Sequence, residues 1–380
     1  MKRRWDMMKR LMNYYSNKKK IVDRFSESKD FLFPGNYRFD ESLTYIHLDD
    51  QNISKKTDDL FSQGLQVVNF FNGRFFTKTV VAKILRLYFK KKLIINRKAI
   101  GDYKGTVYLP GGNGNEVKIF DFVNNEVLIV YNNTEIFKNK INIHKQFSSH
   151  FPIPPIIDQV EKKRIVIERY IDYKSNQHWD EYDFKFVINE IFRRYLEYFK
   201  EAAASDNFCW LTPAEVLNAL PEKDAFIKDI MEGISLEMMW KPFAVLNIHG
   251  DLWSPNILID KEDSQNIFFI DWELAGEMFF FYDFFVFMWN EALTNRNFSF
   301  IRSYMNGEYD DYFFHAFEIF GMDFETARKQ EYLNIFFLNM YLRRWTETAP
   351  DYLEWVHLEY RKLMDYVTSL EVLPDMPRRT

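Results

Sequence analysis

The sequence predicts an α+β chain with two lobes, a small antiparallel-sheet lobe followed by a larger, mainly helical one, and an extra helical region at the N-terminus. Its 380 residues suffice for two domains, and 47% apolar residues, with 39 Phe, can fill large interiors. This composition excludes a disordered or collagen-like protein. Strand periodicity is concentrated between Gly105 and Ile171, whereas the patterns after Asp172 are mainly helical. We therefore divide the chain into residues 1–100, 101–172 and 173–380.

The first hundred residues form a basic, mainly helical extension in this interpretation, with a second helical stretch from about Thr57. They hold 22 Lys and Arg against 10 Asp and Glu, while the other 280 residues hold 28 against 45. This split favours contact with an anionic surface or substrate, or attraction between two parts of the chain. The segment from Phe75 to Lys92 mixes apolar and basic residues as a peripheral membrane helix does. Packing on the chain's own surface, with the lysines in water, explains the same pattern.

The pattern between residues 101 and 172 predicts five strands and one helix. A glycine-rich segment and an Asn124-Asn125 turn join the first three strands into an antiparallel meander. The helix runs from Thr134 to about Phe151, where prolines stop it. Two further strands frame Glu161-Lys162-Lys163 and end at Ile171. The three strands of the meander are Thr106 to Leu109, Val117 to Phe122 and Glu126 to Tyr131.

The remainder of the chain is predicted to be helical, with one exception. Between Phe243 and Asp271, short apolar runs flank two polar loops and predict short strands. The predicted helices are Tyr182 to Ser205, Pro213 to Ile234, Met278 to Leu293, Tyr309 to Phe320, Phe324 to Trp345 and Tyr352 to Leu370. The predicted strands are Ala244 to Ile248, Ile257 to Ile259 and Ile267 to Ile270.

Cysteine content and hydropathy suggest the compartment. A single cysteine, Cys209, excludes an internal disulfide and a cysteine-built zinc site, and it fits a reducing compartment. The longest apolar run, Met278 to Trp289, is about a dozen residues, short of the roughly 18 that a spanning helix needs. Because no export signal is recognised, we expect a cytoplasmic protein, with membrane-peripheral contact as an alternative.

The segment from His249 to Glu273 carries the residues suited to phosphoryl transfer. That reaction needs a positioned acceptor, metal ions along the phosphates and charge compensation. Asp251 follows a strand and lies in a loop, where its carboxylate can orient a hydroxyl and accept its proton. Asn256 lies five residues on and can supply a neutral metal ligand, and Asp271 ends the hairpin that returns beside it. Two oxygen ligands would then face a Mg²⁺ that keeps several waters and phosphate oxygens.

Any one Asp or Asn in a loop is more often a turn or cap residue, but the joint pattern is specific. Five residues of fixed type at these spacings arise by chance somewhere in the chain with a probability on the order of 10⁻⁴. They are His249, Gly250, Asp251, Asn256 and Asp271. The segments His-Gly-Asp-Leu-Trp-Ser-Pro-Asn and Ile-Asp-Trp-Glu resemble the aminoglycoside phosphotransferase and choline kinase superfamily, small-molecule kinases with a protein-kinase-like fold. The resemblance covers roughly Gly105 to the C-terminus.

The resemblance implies roles for the matching residues. It makes Asp251 the catalytic base and Asn256 and Asp271 the Mg²⁺ ligands. His249 would support the loop, and Asp283 would brace it from a helix. Residues 101–172 become a nucleotide-binding N-lobe, and residues 173–380 a C-lobe with the catalytic loop and acceptor site. ATP and Mg²⁺ are the implied cofactors, and Glu168 and Tyr170 lie in the segment whose backbone would meet adenine.

The phosphate-binding elements depart from the family pattern. The third strand, Glu126 to Tyr131, lacks the expected lysine, so Lys118, Lys138 or Lys140 would have to replace it, with Glu135 as a candidate partner. Each is more often a solvated surface charge. The glycine-rich turn would let backbone N–H groups approach phosphates, although an ordinary hairpin explains it equally. Its predicted cofactor-binding residues are Gly111, Gly112, Asn113 and Gly114.

The sequence does not identify one phosphoryl acceptor. His-Gly-Asp-Leu-Trp is similar to ketosamine kinases, whereas Ile-Asp-Trp-Glu-Leu-Ala-Gly is closer to choline and ethanolamine kinases. Aromatic and acidic side chains later in the chain could enclose a quaternary amine, although core packing is the commoner role of such rings. These are Trp289, Glu291, Tyr341, Trp345, Tyr352 and Trp355. A phosphorylated, anionic or lipid-linked sugar is the rival acceptor, because the front of the chain is basic.

We therefore expect an ATP- and Mg²⁺-dependent phosphotransferase acting on a hydroxyl of a small molecule or glycan, such as an amino alcohol, an aminoglycoside-like compound or a sugar. The alternative is a catalytically silent nucleotide-binding pseudokinase that acts as a sensor or scaffold. Nucleic-acid binding is disfavoured, because the basic residues accompany no recognition motif. The sequence leaves the oligomeric state open.

Overall fold

The computed structural model describes residues 16–26, 28–40, 44–62, 87–95, 101–109, 116–221, 223–346, 348 and 350–372. The chain divides into two compact units. The first comprises Met1–Asp180 with Leu258–Ile270, and the second comprises Glu181–Ile257 with Asp271–Thr380. None of the helices in the described ranges combines the length and hydropathy that a membrane-spanning helix needs.

The first unit is built on a seven-stranded sheet whose neighbouring strands all pair antiparallel, in the order β1-β2-β3-β4-β5-β7-β6. The strands are β1 (Tyr37–Phe39), β2 (Tyr45–Leu48), β3 (Gly105–Tyr108), β4 (Glu116–Asp121), β5 (Glu126–Tyr131), β6 (Ile156–Val160) and β7 (Ile165–Arg169). A smaller sheet in the order β12-β11-β8 is formed by β8 (Tyr173–Lys174), β11 (Ile257–Asp260) and β12 (Ile267–Phe269).

Both faces of the seven-stranded sheet are covered by helices. The helices are α1 (residues 16–26), α2 (Gln51–Ser62), α3 (residues 87–92) and α4 (Thr134–Phe147). Because side chains alternate along a strand, Leu128 and Val130 face α1 and α3, whereas Val127 and Ile129 face the opposite side. On that second side α4 packs beside β5 and α2 packs beside β3. The helix α2 therefore shares a sheet face with α4.

The second unit is mainly helical and contains one three-stranded antiparallel sheet in the order β13-β10-β9. Its strands are β9 (Cys209–Leu211), β10 (Phe243–Ile248) and β13 (Gly276–Phe279). Its helices are α5 (Glu181–Ala204), α6 (Pro213–Asn218), α7 (Ala225–Glu232), α8 (Leu236–Trp240), α9 (Tyr282–Thr294), α10 (Ser299–Met305), α11 (Asp310–Ile319), α12 (Lys329–Met340) and α13 (Pro350–Val372). The helix α12 continues into a π-helical turn, Tyr341–Trp345.

The phenylalanines of the sequence fill the interior of this second unit. Almost every residue of α9 from Tyr282 to Trp289 is buried. Phe281 stacks on Phe317, and Phe285 stacks on Phe313. Large rings with fixed rotamers build a rigid interior, so α9 is a firm support for whatever lies beside it. The predicted fold class, α+β with one unit built on an antiparallel sheet and one mainly helical unit, is confirmed.

The first unit differs from the sequence prediction in its strand number. Its sheet has seven strands where five were predicted, because β1 and β2 lie inside the region interpreted as a helical extension. These two short strands lie in a stretch rich in charged residues, where they form no longer apolar run. Since β2 pairs with β3, residues before 100 continue the sheet, and the compact unit runs to Asp180 instead of dividing at residues 100 and 172.

Three predicted helices are also corrected. Met278 lies in β13, so the helix there starts at Tyr282, because a continuous apolar run fits a buried strand as well as a buried helix. The segment Pro213 to Ile234 contains two helices, with Asp224 capping the second through the Ile227 N–H. The helix expected from Phe324 starts at Lys329. The predicted glycine turn at residues 111–115 and the basic segment at 75–86 lie outside the described residues.

Candidate active site

The segment with the predicted catalytic residues is the loop between β10 and β11. It leaves β10 at Ile248, passes Asp251 and enters a 3₁₀ turn, Ser254–Asn256. Gly250 has a φ of 78°, and a Cβ placed there would lie 2.3 Å from the Leu274 carbonyl oxygen. Only glycine combines this backbone conformation with this approach. The His-Gly-Asp spacing thus has a steric basis.

A buried carboxylate holds the start of this loop. Asp283 lies in the first turn of α9 and is fully buried. Its carboxylate accepts hydrogen bonds from the backbone N–H groups of His249 at 2.8 Å and Gly250 at 2.9 Å. The Tyr195 hydroxyl donates a third hydrogen bond at 2.5 Å. Burial raises the pKa of Asp283, while the neighbouring His249 and these hydrogen bonds oppose the shift.

A second buried carboxylate on the same helix holds the end of the loop. Glu291 accepts a hydrogen bond from the backbone N–H of Ser254 at 3.1 Å, and Asn295 donates a second at 2.8 Å. Glu291 and Asp283 are eight residues apart, so they lie on one face of α9. From the sequence, Glu291 is predicted only as part of an amine-binding wall. Its position two turns beyond Asp283 is the signal that could have identified it as a loop support.

His249 lies beneath the loop, fully buried against Trp272 with 4.5 Å between the ring centroids. Its Nδ1 accepts the backbone N–H of Asp251 at 3.2 Å. Nδ1 is therefore used as a hydrogen-bond acceptor in this arrangement. The histidine thus constrains the backbone immediately at the predicted base.

Asp251 itself is partly exposed and has two polar neighbours. Asn256 donates its side-chain amide to the Asp251 carbonyl oxygen at 2.8 Å and to Oδ2 at 3.3 Å. Arg344 donates to Asp251 Oδ1 at 2.7 Å and also to the Gly250 carbonyl oxygen. Both members of the Arg344–Asp251 ion pair are only about one fifth exposed. The carboxylate is thus held from two sides while keeping access to solvent.

Arg344 is a site residue that was not predicted from the sequence. It belongs to the π-helical turn Tyr341–Trp345 that extends α12, a rare irregularity that is frequent at functional sites. Burial disfavours the charge on Arg344, yet Tyr282 and Asp251 together raise the pKa of its guanidinium. The two adjacent arginines, Arg343 and Arg344, can be read from the sequence. The contact of Arg344 with a loop 93 residues earlier cannot be inferred from it.

The predicted metal ligands lie in the same unit as Asp251. Asn256 is buried and uses its amide nitrogen toward Asp251, which leaves its amide oxygen as the atom suited to a cation. Asp271 is exposed and adopts the left-handed conformation, with φ 65° and ψ 51°, where the following 3₁₀ turn begins. Across the described ranges no three His, Cys, Asp or Glu side chains gather as a metal site. A Mg²⁺ held by one Asn and one Asp needs fewer protein ligands, since phosphates and water complete its shell.

The predicted cofactor-binding residues of the first unit have partners within that unit. Lys118 lies on β4 opposite Ile129 and forms an ion pair with Glu116 at 2.8 Å. Glu168 is buried on β7 and forms an ion pair with Lys140 of α4 at 2.6 Å. This ion pair links the helix α4 to the strand β7.

Tyr170, the other predicted adenine-binding position, packs edge-on against Phe120 and Phe122, with 5.4 Å between the Tyr170 and Phe122 centroids. Its backbone N–H donates to the Asn125 carbonyl oxygen at 2.8 Å. The Tyr170 N–H group is therefore already hydrogen-bonded within the first unit. An adenine base at this segment would have to bind other groups.

The aromatic wall suggested for an amine acceptor is mostly core. Trp289, Tyr341 and Trp345 are buried, and Trp345 stacks on Phe226 with centroids 5.3 Å apart. Tyr352 and Trp355 are exposed and lie 5.4 Å from each other. Core packing therefore accounts for the three buried rings.

A protein-family model matches the segment that contains this loop. Residues 190–326 match the model of a family described as "Phosphotransferase enzyme family". The predicted resemblance is confirmed. The matched range includes Asp251, Asn256, Asp271 and Asp283, and so every predicted catalytic, metal and supporting position of the second unit. A search of curated proteins found no match.

Three solved structures show the similarity, and each is distant from this chain in sequence. Choline kinase LicA from Streptococcus pneumoniae is 14% identical over 76% of this chain and 98% of its own, with a TM-score of 0.37. An ethanolamine kinase from Plasmodium vivax is 14% identical over 77% of this chain and 91% of its own, with a TM-score of 0.36. An aminoglycoside phosphotransferase from Streptomyces rimosus is 12% identical over 60% of this chain and 90% of its own, with a TM-score of 0.33. None of these alignments identifies an acceptor.

Proposed function

We propose that the protein is an ATP- and Mg²⁺-dependent phosphotransferase that moves the γ-phosphoryl group to a hydroxyl of a small molecule or glycan. The observation that carries the proposal is the loop between β10 and β11. In it one solvent-accessible carboxylate, Asp251, is fixed by Arg344 and Asn256, while two buried carboxylates hold the backbone on either side. A phosphoryl-transfer enzyme needs such a positioned, non-covalent base.

Asp251 would orient the acceptor hydroxyl and take its proton as the oxygen attacks. Arg344 occupies Oδ1, and the Asn256 amide lies 3.3 Å from Oδ2. The second carboxylate oxygen, with the longer contact, is thus the better placed to receive a proton. Fixing the carboxylate in one orientation lowers the entropic cost of aligning base and hydroxyl.

Mg²⁺ would be held by the Asn256 amide oxygen and the Asp271 carboxylate. When bound, it would neutralise charge on the transferred phosphate and its leaving group. The donor set fits a hard cation, because both ligands are oxygens and one is neutral. For the nucleotide, the glycine turn with Gly111, Gly112, Asn113 and Gly114, together with Lys118, Glu168 and Tyr170, remains the proposed contact region.

Substitution of Asp251 by Asn tests the proposal directly. We expect kcat to fall by at least about 100-fold, since a positioned base contributes roughly 10²- to 10⁴-fold, while nucleotide affinity stays nearly unchanged. The assay is transfer from γ-labelled ATP with Mg²⁺ to a panel of amino alcohols, aminoglycosides and sugars. Asp323→Asn, at an exposed aspartate of the same unit, is the matched control. Undiminished transfer by the Asp251 variant would reject the assignment.

A nucleotide-binding pseudokinase is the second candidate, and one observation favours it. Strand β5 carries no lysine, and Lys118 and Lys140 are both engaged in ion pairs with glutamates. If no cation compensates the phosphates, nucleotide would bind without turnover. Tight ATP binding combined with neither hydrolysis nor transfer to any acceptor would support this second function over the first.

A further inference from the structure

A cleft of about 310 Å³ lies within the first unit, between α2 and the segment that follows β7. Its volume is at the lower end of the roughly 300 to 1,000 Å³ typical of small-molecule sites. One wall is a helix from the region before residue 100, which the family match does not include. The lining residues are Asn52, Lys55, Lys56, Asp59, Leu60, Tyr170, Asp172, Tyr173 and Lys261.

The helical wall is firmly attached to the sheet. Asp50 caps α2 by accepting the N–H groups of Asn52 at 2.9 Å and Ile53 at 3.1 Å. Thr57 is buried and forms a hydrogen bond with the hydroxyl of Thr106 on β3 at 2.5 Å. Ile53, Leu60 and Phe61 are also buried. The polar residues of the wall are spaced by three or four positions, so they share one face of this anchored helix.

The facing wall combines rings with a charged pair. The Tyr170 and Tyr173 rings are half-buried and belong to the same apolar cluster as Leu60. Burial is the main cause that raises the pKa of both hydroxyls, to about 12 for Tyr173, so both stay protonated donors at neutral pH. Lys261 forms an exposed ion pair with Asp172 at 2.8 Å. Lys56 Nζ lies 5.7 Å from the centroid of Phe122, behind this wall.

The charge of the cleft favours an anion with a flat ring. Three lysines line it against two aspartates, and the apolar floor consists of Leu60 and tyrosine rings. Strand β5 lacks a phosphate-binding lysine, and Lys118 and Lys140 are committed to glutamates. Charge compensation for a nucleotide must therefore come from elsewhere in the unit, and α2 presents two lysines beside Tyr170.

We propose that this cleft binds a nucleoside phosphate, with Lys55 and Lys56 of α2 contacting the phosphates and the Tyr170 and Tyr173 rings packing against the base. Asn52 and Asp59 provide amide and carboxylate groups for the base edge and ribose hydroxyls. The proposal rests on the proposed function, because it takes this nucleotide to be the phosphoryl donor. It makes α2 part of the nucleotide site.

The test is ADP binding by calorimetry, measured without any acceptor. In the Lys55→Ala/Lys56→Ala protein we expect Kd to rise at least about tenfold, since charge-assisted hydrogen bonds to phosphate are lost. Lys55→Arg/Lys56→Arg should restore most of the affinity. The matched control is Lys19→Ala/Lys20→Ala, an adjacent and exposed lysine pair on α1, which should leave Kd within about twofold. An unchanged Kd in the α2 variant, with its melting curve intact, overturns the proposal.

A second measurement covers the case in which the α2 variant fails to fold. Wild-type protein is photolabelled with an azido-ADP and digested, and the labelled peptides are identified by mass spectrometry. Labels within α2, residues 170–173 or the peptide containing Lys261 support the site, and labels confined to other peptides overturn it. Turnover of the wild-type protein separates the two proposals. A wild-type chain that binds ADP through α2 but transfers phosphate to no acceptor upholds the site and rejects the phosphotransferase, whereas wild-type turnover with an unchanged Kd in the α2 variant does the reverse.

Discussion

Replacing Arg344 tests whether the ion pair with Asp251 serves catalysis. Arg344 donates to Asp251 Oδ1 at 2.7 Å and to the Gly250 carbonyl oxygen, from a position about one fifth exposed. Hydrogen bonds to charged groups contribute about 1.5 to 3 kcal/mol. Because the pair is largely sheltered from solvent, screening reduces this figure only in part. If the contact positions the base in the transition state, its loss should lower kcat by about 10- to 100-fold.

The variants separate charge from geometry. Arg344→Gln keeps a donor without charge, and Arg344→Lys keeps the charge without the planar fork, so the lysine variant should be intermediate. The neighbouring Arg343 is exposed and donates to the Glu277 carbonyl oxygen at 2.5 Å, which makes Arg343→Gln a control with the same chemistry one residue away. Steady-state kinetics should show the loss in kcat, with KM for ATP within about twofold, because Arg344 is a positioning residue for Asp251.

Two outcomes would refute this reasoning. If Arg344→Gln keeps kcat within about threefold of wild type, the ion pair is not used in the reaction. If kcat rises, the guanidinium restrains Asp251 from acting as a base, and the structure describes a state that must open. Far-UV circular dichroism and melting of each variant exclude a folding defect as the cause of a loss.

Two stability predictions follow. Gly250→Ala should cost at least about 2 kcal/mol of unfolding free energy, from strain at φ 78° and contact with Leu274, whereas Gly321→Ala, at φ 67° with nothing within 4 Å, should cost only the strain of about 1 to 2 kcal/mol. Equal losses in urea titrations would contradict the packing argument. Burial lowers the pKa of Lys18 to about 7, and its Nζ donates to the Leu109 carbonyl oxygen at 2.7 Å. Because the unfolded chain binds this proton more strongly, the contribution of Lys18 to stability should rise with pH from about 7 towards 10. That slope should disappear in Lys18→Met, and an identical pH dependence in both proteins would show that Lys18 keeps its charge when folded.

The sequence could predict those parts of the site whose residues are close together in the chain. The spacing of His249, Asp251 and Asn256 lies within one loop, so the steric need for Gly250 and the neighbourhood of Asp251 and Asn256 follow from local geometry. The position of Asp283 needed the resemblance, because its contacts with the loop span 33 and 34 residues. Patterns of apolar and polar residues alone do not show which residues that are so far apart in the chain are in contact.

Arg344 could not be predicted by the same reasoning. Its segment was interpreted as one regular helix from Phe324, and a π-helical turn leaves no periodic signature in apolar residues. The turn changes which side chains face the loop, so even a correct helix assignment would have misplaced the guanidinium. The strands β1 and β2 were missed for a different reason, since they are short and lie in a stretch rich in charged residues that was interpreted as part of a helical extension.

The three carboxylates around the loop have different surroundings. In the proposed reaction they would therefore have different roles, two as supports of the loop and one as the base. Asp283 and Glu291 are fully buried and receive N–H or O–H donors, so their hydrogen bonds are strong and their orientation is fixed by α9. A buried acid satisfied in this way is a poor proton acceptor for an external substrate, because nothing can reach it. Asp251 is reachable, and its oxygens meet a side-chain cation and a side-chain amide instead of the backbone. In the proposed phosphotransferase, the two buried carboxylates would keep the loop rigid, and only the accessible carboxylate would react with substrate. Exchanging Asp283 for Asn should accordingly disturb the loop through its backbone donors, whereas exchanging Asp251 for Asn should leave the loop in place and remove the chemistry.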